Sequence, residues 1–183
     1  MMSLPSALAL MFSVVLLSAC VSKSDYQKQV QKTATYQQLS EQLKTELAGT
    51  QAQIEQLQNL VKLTLANGIL FAEGGSALHD AGKATLTKVA PALKGLTDQR
   101  IVIKGFTDNV PIGPTLRERF ASNVELSKAR AESVADFLQS QGVPAGLITT
   151  VGLGAAHPVA DNDSVEGRAK NRRVEIDIVE APA

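Results

Sequence analysis

Few residues of this 183-residue chain have types and spacings that could do covalent or metal chemistry. There is one cysteine, Cys20, so neither an internal disulfide nor a multi-thiolate metal site can form. His79 and His157 have no companion ligands at metal spacing and read as surface residues. Gly152-Leu153-Gly154 follows an expected strand but lacks the third glycine and the helix of a dinucleotide fingerprint, so it reads as a turn. Glu73, Glu118 and Glu125 are the carboxylates a hydrolase would have to pair, yet nothing in their context raises a pKa. No Ser-His-Asp or Cys-His arrangement can be drawn, and the expectation is a protein that is not an enzyme and needs no cofactor. Two charged residues keep a different interest. Asp108 closes an expected strand and Arg130 lies in the helix that follows. Taken singly, Thr107-Asp108-Asn109 is ordinary turn chemistry, and a helical arginine is ordinarily a solvated cation that pairs weakly.

Composition narrows the partners. Lys+Arg and Asp+Glu both number 18, aromatic residues make up 4% and tryptophan is absent. A protein that grips a phosphate backbone needs a basic excess, and base stacking needs aromatic platforms. Nucleic acid is therefore excluded as the expected partner.

Cys20 gains meaning from its position. It ends the one long apolar run, Ala7 to Ala19, which is shorter than the roughly 20 residues of a membrane-spanning helix. The run suits the apolar region of a secretory signal over residues 1–19. Leu17-Ser18-Ala19-Cys20 resembles the bacterial lipoprotein signal, in which the cysteine is diacylated, cleaved and then acylated on its new amino terminus; Met1 to Pro5 carry no Lys or Arg. Several acyl chains at Cys20 would anchor the chain stably in a membrane. Val21, where an aspartate would favour inner-membrane retention, points by the same resemblance to the periplasmic face of the outer membrane.

The elements that must position Asp108 and Arg130 follow from pattern. Residues 20–61 form an expected tether: residues 21–60 have helix-forming composition, and Tyr36, Leu39, Leu43, Leu47, Thr50, Ile54, Leu57 and Val61 recur at steps of three and four. That seam predicts a long helix or short coiled coil, extending roughly 60 Å if wholly helical. It makes residues 24–60 a candidate contact for a second copy or for an envelope protein. From residue 62 to 183 a folded domain is expected. Leu63 to Phe71 reads as a strand, His79-Asp80 opens a helix to about Leu96 with Pro91 awkward inside it, and Arg100 to Phe106 is a second strand. A loop, Val110 to Ser122, precedes a helix from Asn123 to Gln141, which Gly142 and Pro144 stop. Leu147 to Leu153 and Arg172 to Val179 supply two further strands around a polar, partly helical loop. The fold class is α+β, a βαβαβ(α)β sandwich of one sheet with helices on one face, preceded by a long N-terminal helix.

Several motifs stand in order along this domain: Gly105-Phe106-Thr107-Asp108-Asn109, Asn123-Val124-Glu125-Leu126-Ser127-Lys128-Ala129-Arg130, and Gly167-Arg168-Ala169-Lys170-Asn171-Arg172-Arg173-Val174-Glu175. Together they resemble the OmpA-like C-terminal domain shared by OmpA, Pal and the stator protein MotB, over about residues 62–180. The MotB type is favoured by Asp108-Asn109-Val110-Pro111-Ile112, although Val124 stands where those relatives commonly carry Trp. The apolar run has no acid, which argues against a motor role. The resemblance implies binding to the peptide stem of peptidoglycan, chiefly to diaminopimelate. The free end of that residue presents an ammonium beside a carboxylate. Asp108 would accept from the ammonium and Arg130 would fork onto the carboxylate. Asn123, Thr107 and Arg172 are implied around the same pocket. On a strand, Arg172 and Arg173 should face opposite sides, so at most one reaches it. The leading expectation is a wall-binding lipoprotein that ties the outer membrane to peptidoglycan. The alternative is an envelope interaction protein whose helical segment holds a partner while the wall domain positions it.

Overall fold

The computed structural model describes residues 22–72 and 74–181. The signal, Cys20, Val21 and Glu73 lie outside the described residues. Helix α1 spans Lys23–Glu46, and Ser22 caps it by accepting from the Asp25 N–H. Strands β1 (Gln53–Leu57) and β2 (Leu60–Ala66) form an antiparallel hairpin. A short helix, α2 (Asn67–Leu70), precedes α3 (Asp80–Lys94), β3 (Gln99–Gly105) and the single turn α4 (Pro114–Arg117). Then come α5 (Asn123–Ser140), β4 (Ile148–Gly152), α6 (Val165–Asn171) and β5 (Arg173–Glu180).

The five strands make one mixed sheet in the order β1-β2-β5-β3-β4. Only β3 and β4 run parallel, joined by α5; β5 lies antiparallel between β2 and β3. This is the expected α+β architecture with one strand more. Alternation sorts the two sheet faces. Val61, Leu63, Leu65, Ile101, Ile103, Val174, Ile176 and Ile178 are fully buried and pack with Leu86, Val89 and Leu93 of α3 and Val134 and Leu138 of α5. Helix α3 continues through Pro91 to Lys94. His79, read from the sequence as a surface residue, is its half-buried cap: Nδ1 accepts from the Gly82 N–H at 3.0 Å.

The expected helix over residues 21–60 is corrected in two respects. It ends at Glu46, and residues 53–57 are strand, because Gly49 adopts φ +81° and turns the chain back. In addition, Tyr36, Leu39, Leu43 and Leu47 are buried in the same core as the sheet, so that stripe serves no coiled-coil seam. Lys32 pairs with Glu180 at the end of β5 and closes the contact. A first prediction arises here. Leu43→Ala, at a fully buried position, should cost about 2–5 kcal/mol in denaturant unfolding. Val30→Ala on the same helix, half exposed, should cost a few tenths. Equal and small losses at both positions would mean that α1 does not belong to the folded unit.

Candidate ligand-binding cleft

A cleft of about 910 Å³ opens beyond the ends of β2 and β3. Thr107, Asp108, Asn123, Arg130 and Arg172, five residues drawn from three separate motifs, all line it. Its remaining wall includes Asn67, Phe71 and Ile112, with Leu116 from α4 and Arg168 from α6.

Close backbone packing sets the positions. At Gly105 a Cβ would lie 1.9 Å from the Ser127 carbonyl oxygen, and at Gly152 one would lie 2.5 Å from that of Val124. Glycine at both strand ends lets α5 sit directly against the parallel pair β3–β4. The Gly154 N–H donates to Ser127 Oγ at 2.9 Å, and the Thr107 N–H donates to the Gly154 carbonyl at 2.8 Å. The start of α5 is fastened too: Ser122 Oγ accepts from the Glu125 N–H, and the Glu125 carboxylate accepts from the Ala121 N–H at 2.7 Å. Arg130, one turn beyond Ser127, is thereby held over the loop that carries Asp108.

Asp108 is 8% exposed and Arg130 6%. Asp108 Oδ1 accepts from the Val110 N–H at 3.1 Å, which is the turn chemistry expected of a lone aspartate. Its Oδ2 accepts from Arg172 Nη1 at 2.6 Å. Each oxygen retains room for a further donor, since an ionised carboxylate has about four acceptor sites. Arg130 donates from Nε to the Gly75 carbonyl at 2.9 Å and stands 5.5 Å from the centre of the Phe71 ring. Its two Nη groups have no acceptor among the described residues. Burial, then the neighbouring Arg172, lower its pKa to about 10, with Asp108 opposing. Two cations therefore flank one carboxylate.

The supporting residues differ in character. Thr107 donates its hydroxyl to the Asp108 carbonyl at 2.8 Å, and Asn123 donates from Nδ2 to the Val110 carbonyl at 2.9 Å. Both shape the Asp108 loop. Arg172 reaches the cleft while Arg173 does not: Arg173 pairs with Glu175 at 2.7 Å and lies 3.7 Å over the Phe106 ring. Arg172 is the C-cap of α6 and Arg173 the first residue of β5, so the division arises at the helix–strand junction and not from alternation along one strand. Sequence reasoning missed Asn67, Phe71 and Arg168. Arg168 carries a signal, being one helical turn before Arg172, but the sequence of α6 reads largely as loop.

With this geometry established, comparison with known proteins identifies the fold's lineage. Residues 70–172 match the model of the OmpA family. The chain belongs to the OmpA family. Within the family it is 43% identical over 120 residues to the peptidoglycan-binding protein ArfA of Mycobacterium tuberculosis, covering 66% of this chain and 35% of that protein. Over 134 residues it is 39% identical to the probable lipoprotein YiaD of Escherichia coli, covering 73% and 58%. It is 38% identical over 112 residues to the outer-membrane lipoprotein YfiB of Pseudomonas aeruginosa, covering 61% and 62%. The chain thus spans about a third of the mycobacterial relative and somewhat under two thirds of the other two. Among solved OmpA-type folds, a putative MotB-like protein from Desulfovibrio vulgaris superposes with a TM-score of 0.75 at 28% identity, covering 84% of this chain and 99% of that one. The OmpA family is non-catalytic.

Proposed function

We propose that this chain binds peptidoglycan without cutting it, as an outer-membrane lipoprotein that ties the membrane to the wall. One observation carries the reading. Asp108 and Arg130 stand buried in a single cleft, within electrostatic reach of each other, as an acceptor and a fork-shaped donor. A free amino-acid centre presents the complementary pair, an ammonium beside a carboxylate, and the free end of diaminopimelate is such a centre. Asp108 takes the ammonium on the lone pairs left beside Val110 and Arg172. Arg130 takes the carboxylate on its two Nη groups. Thr107 and Asn123 hold the Asp108 loop in place, and Arg172 pairs with the aspartate from the α6 side.

Membership of the OmpA family and the name of the mycobacterial relative support the wall as partner. Two relatives are lipoproteins, one of them of the outer membrane, which supports acylation at Cys20 and retention at the periplasmic face. Affinity at each site is modest, because charge-assisted bonds contribute about 1.5–3 kcal/mol each. Many anchored copies on one sheet of wall add avidity.

The test is co-sedimentation of the full-length protein, in mild non-ionic detergent, with two kinds of purified wall. Diaminopimelate-type walls should carry it down. Lysine-type walls, whose third residue ends in an amine without a carboxylate, should not. Equal sedimentation with both would refute recognition of the amino-acid centre, and sedimentation with neither would refute wall binding itself.

A further inference from the structure

Beyond the pairing of Arg172 with Asp108, the α6 wall of the cleft carries a second cationic feature. Arg168 and Arg172 stand one helical turn apart, and both line the cleft. Like charges at this spacing repel. Arg172 has Asp108 as counter-charge on Nη1. Arg168 has none among the described residues: its Nη1 donates to the backbone carbonyls of Asn162 at 2.7 Å and Asp163 at 3.1 Å. Those carbonyls fix the guanidinium without neutralising it, and its Nε and Nη2 have no described acceptor.

The platform beneath this pair is rigid. A Cβ at Gly167 would lie 1.8 Å from the Asp161 carbonyl oxygen, so α6 begins in backbone contact with its own loop. Asn171 accepts from the Val159 and Ala160 N–H groups at 2.8 and 3.0 Å. It also donates to Asn162 Oδ1 at 2.9 Å, an oxygen that accepts from the Asn109 N–H as well. The loop bearing Asp108 and the helix bearing Arg168 are thus tied into one frame. Two arginines one helical turn apart, each fixed in place and both lining a cleft with a single carboxylate among its described residues, suit an anion supplied from outside.

We propose that Arg168 and Arg172 form a second carboxylate subsite, which reads a free carboxylate elsewhere on the same peptide stem. This rests on the peptidoglycan reading above and refines it. The residue before diaminopimelate in the stem is joined through its side chain, which leaves an α-carboxylate free. Some walls carry that group as an amide. A guanidinium pair bonds the ionised acid strongly and the neutral amide weakly. The cleft would then recognise stems bearing both free carboxylates over stems amidated at the first.

The experiment measures binding of two soluble tripeptide stems, L-Ala–γ-D-Glu–diaminopimelate and its isoglutamine form, to the full-length protein in detergent by titration calorimetry. The native protein should prefer the free acid by about tenfold, the scale of one charge-assisted bond. Arg168→Met should bring that ratio close to one while leaving affinity for the amidated stem unchanged, and that retained affinity also reports that the cleft is folded. Arg168→Lys should keep part of the preference. Equal binding of both stems by the native protein overturns the subsite and leaves the amino-acid-centre reading standing. An Arg168→Met protein that loses affinity equally for both stems also overturns it, by showing a structural role. Binding of neither stem to the native protein overturns both.

Discussion

Arg130→Met is expected to abolish wall binding and leave the folded domain at least as stable as the native one. The guanidinium is 6% exposed, and burial together with Arg172 lowers its pKa to about 10. Against an ordinary guanidinium, that lowering is a cost on the order of 3 kcal/mol for keeping the charge in the folded state at neutral pH. The sign follows from proton uptake. From about pH 10 up to the ordinary guanidinium range the unfolded chain keeps the proton that folded Arg130 has shed, so this group lets stability rise with pH only in that window. Below pH 10 the cost is present in full. Methionine fills much the same volume without charge. It forfeits the bond to the Gly75 carbonyl, about 1 kcal/mol, and the Phe71 contact, about 0.5–1 kcal/mol. Asp108 is not orphaned, because Arg172 still pairs with it. The melting temperature should therefore hold or rise by a few degrees. Binding should fall by at least about 30-fold, since an unpaired ligand carboxylate costs about 2–5 kcal/mol at a buried pair. A melting temperature several degrees below native would show instead that Arg130 mainly braces the Gly75 loop.

Gly105→Ala is expected to damage both the fold and the cleft, although it adds a single methyl group. Its φ is unremarkable, so the injury is steric: the new carbon would sit 1.9 Å from the Ser127 carbonyl oxygen and 2.7 Å from its carbonyl carbon. Backbone lies on both sides of that contact, so no side chain can swing aside, and α5 must back away from β3 by an ångström or more. Overpacking of this kind costs roughly 1–3 kcal/mol and occasionally more. Arg130 travels with α5 while Asp108 stays with β3, so affinity should fall even in molecules that still fold. Gly146→Ala supplies the control, since its Cβ would meet nothing within 4 Å. Thermal melts and wall sedimentation on the two variants decide the matter: matching behaviour would mean that the α5–β3 approach is not a constraint.

The cleft was legible in the sequence to the extent that its residues sit in motifs. Asp108, Arg130, Asn123, Thr107 and Arg172 were all named by resemblance, and one cleft contains them all. Arg172 and Arg173 do part company there, but at the junction of α6 and β5, which a reading of both as strand does not anticipate. The N-terminal third was less legible. Gln53-Ile54-Glu55-Gln56-Leu57 has helix-favouring composition, and Ile54 and Leu57 fit a helical step of three as readily as a strand. Their fate is decided by pairing with β2, which local preference does not encode. The local clue was Gly49, the sole glycine of that stretch, whose left-handed turn ends the helical run. Arg168 was overlooked for a related reason. A seven-residue helix inside a polar loop has too few turns to display a periodic face.

The docking of α1 also sets a standoff distance. From Lys23 to Tyr36, the first residue of the helix buried against the body, is about 20 Å of helix. On the proposed anchoring at Cys20, the protein would hold its cleft on a short bracket instead of at the end of a pole of roughly 60 Å. Wall strands within that bracket's reach would be captured, and strands farther from the membrane would not. The packing of Leu39, Leu43 and Leu47 would then act as a gauge for the gap between membrane and wall, and loosening it would lengthen the gauge.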